Sequence, residues 1–205
     1  MSRHTLATAL VAVALLLTAA PAHADVLVPP AGPCADDGAA QVFSRWHDRS
    51  WYVPVGDGGF ENGATGWTRS AGATVVDGNE PWHVRSPDDR HALRLGRGAR
   101  ATSPPICIGL GRPTIRFFAR NTGSRLGLLT VQVVFRTSLG LKLALPIGVT
   151  ANLSRSWSPT LPMPVLVNLL TLLDGSTDVE LRFTAVGPAS SWEIDDVYLD
   201  PYRKG

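Results

Sequence analysis

Apolar and polar residues alternate along much of this chain with a period of two. Ile115, Phe117 and Ala119 alternate with Arg116, Phe118 and Arg120, and Val131, Val133 and Phe135 alternate with Gln132, Val134 and Arg136. Val179, Leu181, Phe183 and Ala185 do the same against Glu180, Arg182 and Thr184. Successive side chains on a strand point to opposite faces, so such a run buries one face and leaves the other to solvent. Shorter extended runs are predicted at Ala73–Val76, Trp82–Arg85 and His91–Leu95, closed by Asp77-Gly78-Asn79, Ser86-Pro87-Asp88-Asp89 and Gly96. Ala99–Ile108 carries Pro104-Pro105, which a strand tolerates only at an edge or a bulge. Short alternating runs between turn residues predict an all-β protein, an antiparallel β-sandwich. One stretch departs from the pattern: Val165–Leu173 is apolar nearly all round and follows Pro162 and Pro164. It is read as a short helix capping one end of the sandwich, with a central strand as the alternative.

The last predicted strand runs from Ser190 to Pro201. Its apolar residues fall on one face at Trp192 and Ile194 and on the other at Val197 and Leu199, so the change of face lies at Asp195-Asp196. A bulge there would turn one acid inward. Far upstream, Gly58-Gly59-Phe60-Glu61-Asn62-Gly63 precedes Trp67 and reads as a glycine-rich turn beside buried aromatics. Trp67 and Trp192 are assigned to packing. Between Val42 and Val55, Phe43, Trp46, Trp51 and Tyr52 stand among charged residues; this segment is read as an arm covering an edge of the core.

The N-terminus changes the picture of where the chain works. Arg3 and His4 precede an apolar run from Leu6 to Ala20 and the small-residue site Ala22-His23-Ala24, the layout of a cleaved secretory leader. The reading is a signal peptide over residues 1–24, an extended lead-in over 25–41, and one β-sandwich domain with its arm over 42–205. The product would be secreted, extracellular or associated with the cell envelope, without a membrane span after cleavage. Export permits a disulfide, and the two cysteines, Cys34 and Cys107, have one pairing within the chain. The formal charge is +2 with no dense basic run, which argues against a nucleic-acid partner.

Gly58-Gly-Phe-Glu-Asn-Gly63 with Trp67, and Trp192-Glu-Ile-Asp-Asp-Val-Tyr-Leu199 at the far end, resemble the two ends of galactose-binding-like jelly rolls, including extracellular carbohydrate-binding modules. Gly78-Asn79-Glu80, Ala101-Thr-Ser-Pro104 with Cys107, and Pro113–Asn121 are similar to a group of secreted actinobacterial proteins. The resemblance implies a jelly roll whose opening turn and final strand lie together and hold a structural calcium. Carried over by residue, the ligands would be Glu61 with Asp195 or Asp196. An inward carboxylate near Glu61 would need a proton, an arginine or a hard cation. Two solvated acids, or an acid capping backbone donors, are the alternatives.

The resemblance also implies a non-catalytic module that binds an extracellular carbohydrate or cell-surface glycan. A pyranose offers an apolar face ringed by hydroxyls, so exposed aromatics beside polar groups are wanted; Trp82, Trp157 and Tyr198 are the candidates. Arg116, Arg120, Arg136 and Arg182 recur on polar strand faces, as one basic face or as ordinary solvated charges. A protein-interaction or structural cell-envelope domain is the alternative function. Catalysis finds little support: no G-x-S-x-G, H-E-x-x-H, P-loop or dinucleotide motif occurs. His83 and His91 flank Asp88-Asp89 without a spacing that carries a mechanism. A glycan hydrolase would need two carboxylates across a cleft, a separation the spacing of Asp195 and Asp196 in the chain does not define.

Overall fold

The alternation resolves into two antiparallel sheets. The computed structural model describes residues 34–109, 112–137, 139–151, 155–165 and 177–200. Among them the strands are β1 (Val53–Pro54), β2 (Thr68–Arg69), β3 (Ala73–Asp77), β4 (His91–Gly96), β5 (Arg100–Thr102), β6 (Ile106–Ile108) and β7 (Thr114–Asn121). They continue with β8 (Leu128–Arg136), β9 (Lys142–Thr150), β10 (Ser158–Pro159), β11 (Met163–Pro164), β12 (Thr177–Val186) and β13 (Ser191–Asp200). The first sheet has the order β10-β7-β13-β4-β3, with β1 on β13 and β11 on β7; the second has the order β2-β5-β12-β8-β9, with β6 on β12. The expected leader and all but Val165 of the expected Val165–Leu173 helix lie outside the described residues. No helix among the described residues is long and apolar enough to cross a membrane.

The inward positions of the alternating runs meet between the sheets. Ile115, Phe117 and Ala119 of β7, Leu93 and Leu95 of β4, and Trp192 and Ile194 of β13 face Val131, Val133 and Phe135 of β8 and the apolar positions of β12. Each buried Val, Leu, Ile or Phe among them contributes about 1.5–3 kcal/mol by leaving water. Phe117 and Phe183 bind the sheets together edge to face, with ring centroids 5.1 Å apart. Trp67 packs on Phe60 and donates its indole N–H to the Gly56 carbonyl at 2.9 Å.

Three expectations need correction. Trp82–Arg85 forms turns rather than a strand, because Glu80 gathers the backbone N–H groups of Trp82 and Val84, each at 2.6 Å. Pro104-Pro105 splits the Ala99–Ile108 run into β5 and β6. The arm covers a face, not an edge. Phe118, Ala92 and Tyr198 point away from the main core on the outer side of the first sheet, and Phe43, Tyr52, Trp157 and, half-buried, Trp46 and Trp82 close over them as a second apolar cluster. Phe43 stacks on Phe118 at 5.3 Å, meets Tyr52 edge-on at 4.7 Å, and lies 4.2 Å beneath the guanidinium of Arg116. Asp48 pairs with Arg116 at 2.6 Å and accepts the Tyr52 hydroxyl at 2.6 Å. Burial pushes the Asp48 carboxyl up, but these donors outweigh it and hold the group below its usual range. The expected Cys34–Cys107 disulfide is present, with Cα atoms 5.4 Å apart, and ties the start of the arm to β6.

Candidate functional site

The final strand changes face as its pattern requires. In β13 the register against β7 shifts between Asp195 and Tyr198, and Asp196 takes a left-handed backbone with φ of 48°. Trp192 and Ile194 before this bulge, and Val197 and Leu199 after it, therefore all reach the core. Both acids of the bulge are buried. The opening turn lies against it: Val55 donates its N–H to the Val197 carbonyl at 2.9 Å, and Val197 donates to the Gly58 carbonyl at 3.1 Å. A Cβ on Gly59 would stand 3.1 Å from Asp196 Oδ1 and 3.2 Å from an Arg85 nitrogen, so a side chain there would crowd the carboxylate.

The acids have different partners. Asp195 accepts the Glu80 N–H at 3.0 Å and the Asp196 N–H at 2.8 Å. Glu61 accepts the backbone N–H groups of Arg90 and His91 at 2.8 and 2.7 Å and meets His91 Nδ1 at 2.8 Å. Burial would raise Glu61, but its hydrogen bonds with His91 and the two backbone donors prevail and hold it below its usual range. Asp196 differs: neither carboxylate oxygen has a hydrogen-bond partner, and Asp89 Oδ2 is orphaned likewise. Burial first, then the charges of Asp89 and Glu80, push Asp196 well above the carboxylate range; burial and the Asp196 charge do the same to Asp195. No group of three His, Cys, Asp or Glu side chains among the described residues is arranged to hold a metal ion. Glu80 and Asp89 were not singled out as site residues. An acid in a turn beside proline reads as solvated, and only the packing of the 78–89 loop against a strand more than 100 residues later buries them; the Gly78-Asn79-Glu80 turn was the available signal.

The three aromatic candidates stand on the outer side of the first sheet. Tyr198 and Trp157 are buried in the second cluster, with Arg120 placed 4.9 Å over the Trp157 ring. Trp82 is half-buried, edge-on to Trp46 at 4.9 Å. The four arginines do not make one face. Arg116 and Arg120 belong to the first sheet, where Arg116 meets Asp48 and Arg120 meets Glu193, which Arg94 also pairs at 2.8 Å. Arg136 and Arg182 belong to the second sheet.

The outer face of that second sheet is polar. In register across it, Arg182 of β12 stands between Thr102 of β5 and Gln132 of β8, and Thr184 between Arg100 and Thr130. Thr102, Thr130, Gln132, Arg182 and Thr184 are all half-exposed. At one end Lys142 approaches Glu180 at 2.7 Å; the alignment is poor for a hydrogen bond, so the contact is a charge pair. Beyond it, Leu141 and, in the edge strand β9, Leu143 and Val149 are exposed, and a groove of about 260 Å³ lies between the Ile147–Thr150 end of β9 and Leu161–Pro164.

No family model matches this chain, and no curated protein matches it. Solved structures share its fold. The tandem CBM22-1-CBM22-2 domain of Paenibacillus barcinonensis Xyn10C superposes over 74% of this chain and 45% of its own, with a TM-score of 0.51 at 14% identity. The Clostridium thermocellum Xyn10B CBM22-1-GH10 modules, complexed with xylohexaose, superpose over 74% of this chain and 29% of theirs, with a TM-score of 0.51 at 13% identity. The chain thus spans less than half the length of either. The resemblance to carbohydrate-binding jelly rolls is a likeness of fold.

Proposed function

We propose that this protein is a secreted, non-catalytic module that binds extracellular carbohydrate through the outer face of its second sheet. The observation that carries the proposal is the contrast between the two outer faces. The first is sealed by a disulfide-tethered aromatic arm, whereas the second presents half-exposed Thr102, Thr130, Gln132 and Thr184. Hydroxyls and a carboxamide supply the mixed donors and acceptors that sugar hydroxyls need. The shared fold with modules crystallised with xylohexaose supports a glycan as the ligand class. The disulfide supports an extracellular setting. A hydrolytic role for Asp195 and Asp196 would require both to face a cleft, and both stand buried.

Calorimetry against a glycan panel tests the reading. Gln132→Ala with Thr102→Ala should abolish binding, while Trp82→Ala leaves it intact. Loss of binding in Trp82→Ala alone would move the ligand to the first sheet. Silence across the whole panel would favour the interaction-domain reading, for which the exposed Leu141, Leu143 and Val149 at the β9 edge are the specific support.

Calcium is part of the proposal as a structural ion. The buried, partnerless oxygens of Asp196 and Asp89 fit a hard cation that takes oxygen ligands. Glu61, already held by three donors, would have to release His91 to join them, and Asp195 two backbone N–H groups. An ion bound only by the folded state at 100 times its Kd would add about 2.7 kcal/mol. Thermal unfolding with calcium and with chelator should then differ by about 5–10 °C, and the difference should vanish in Asp196→Asn.

A further inference from the structure

Among the strand arginines, Arg94, Arg116 and Arg120 each have a carboxylate partner, and Arg69, Arg100 and Arg136 stand exposed; Arg182 is partly buried with neither. Arg182 is half-buried in the middle of the second sheet, and its one recorded contact is a long, 3.5 Å donation from Nε to Thr102 Oγ1. No carboxylate among the described residues pairs with it. The nearest acid along its own strand face, Glu180, is taken by Lys142. Its cross-strand neighbours, Thr102 and Gln132, are neutral. A guanidinium drawn partly out of water without a counter-charge is an incomplete ion pair, and its planar fork of donors matches a carboxylate edge to edge. Arg100, exposed opposite Thr184 on the same face, extends the positive field on one side, while on the other Glu180 and Asp178 lie between Arg182 and Arg136.

We infer that this face takes an acidic glycan, a polysaccharide containing uronate residues, with one uronate carboxylate seated on Arg182 and the flanking hydroxyls on Thr102, Gln132 and Thr184. The inference rests on the carbohydrate reading above and adds the class of sugar. The strip from Thr68 across Thr102 and Arg182 to Gln132 crosses four strands, about 14 Å at the spacing of neighbouring strands. That breadth accommodates more than one sugar ring. Neutral glycans would satisfy the hydroxyl partners but leave Arg182 desolvated and unpaired, which sets them at a disadvantage.

The test is calorimetry of the full, oxidised protein with polygalacturonate and with glucuronoxylan, each beside its own carboxyl-reduced, neutral form. At least tenfold tighter binding of an acidic form is expected, weakening as salt is added. Arg182→Gln should remove that preference while leaving the melting temperature within about 2 °C, since the side chain holds no ion pair among the described residues. Arg182→Lys should retain part of it through charge without the fork. Equal binding of acidic and reduced forms, or a preference that survives in Arg182→Gln, would overturn the inference while leaving the carbohydrate reading standing. Absence of binding to any glycan, neutral ones included, would remove both.

Discussion

Replacing Phe43 with alanine measures whether the arm is part of the fold or a loose covering. Phe43 is fully buried, yet it lies outside the space between the sheets. It stacks on Phe118, meets Tyr52 and Tyr198 edge-on at 4.7 and 5.9 Å, and carries Arg116 above its ring. Truncating a buried phenylalanine costs about 3–5 kcal/mol when its surroundings cannot collapse into the gap. They cannot collapse here, because Phe118 and Tyr198 are fixed in β7 and β13 and Tyr52 is held through Asp48 and the Ala40 bridge. At about 2–4 °C per kcal/mol for a domain of this size, the melting temperature should fall by about 6–20 °C. Phe43→Leu, which keeps most of the volume, should lose less than half as much. Near-ultraviolet circular dichroism follows the aromatic cluster itself, so its loss and global unfolding should coincide. A fall of less than about 2 °C, or an aromatic signal lost well before the sheets melt, would refute the account of the arm as a structural element.

Other substitutions probe the bulge and the first sheet. A Cβ on Gly58 would stand 2.9 Å from the Val197 carbonyl and 3.0 Å from that of Val55; Gly58→Ala should cost about 1–3 kcal/mol, read by chemical denaturation, and an unchanged midpoint would contradict the close approach of turn and strand. Asp195 and Asp196 are held above the carboxylate range by burial and by neighbouring acids, so the folded state keeps protons that the unfolded chain has already released. Their contribution is therefore complete at acid pH and lost as pH rises through the raised values: in chelator, stability should decline by about 1.4 kcal/mol per pH unit for each extra proton held. Calcium or Asp196→Asn should flatten that slope, and a melting temperature in chelator that climbs with pH would contradict the burial of the pair. Glu193→Gln keeps the shape of a carboxylate buried between Arg94 and Arg120 but removes its charge; a loss of about 1–3 kcal/mol is expected, and a loss unaffected by first replacing both arginines would show that the pairing contributes nothing.

The parts of this fold that were legible in the chain are those where one residue in two is apolar. β7, β8, β12 and β13 follow from their alternation, and the bulge at Asp195-Asp196 follows from its reversal. β9 was missed because Pro146 and Gly148 interrupt it. As an edge strand it tolerates the proline, opposite Gln132 where the register against β8 shifts. Phe118 was assigned to the polar side of β7 by its parity, correctly, yet parity could not say that the arm would make that side a second core. Trp157 and Tyr198 are candidates as aromatics beside polar groups, and that signal does not say which segment packs against them. The disulfide was legible by counting. That Arg182 has no carboxylate partner among the described residues was not, since it depends on where each acid comes to rest.

The position of β13 has a consequence for how this molecule comes into being. It pairs with β7 on one side and with β4 and β1 on the other, so the strand at the middle of the first sheet is made after every other strand of that sheet. Until it is synthesised, β4 and β7 have no common neighbour, and the surface that the arm covers lacks Tyr198. The first sheet therefore stays in two parts, β3-β4 and β7 with its short neighbours, until the ten-residue β13 arrives to join them. For the exported module proposed above, late closure is itself a useful property, and one that a rearranged strand order would forfeit.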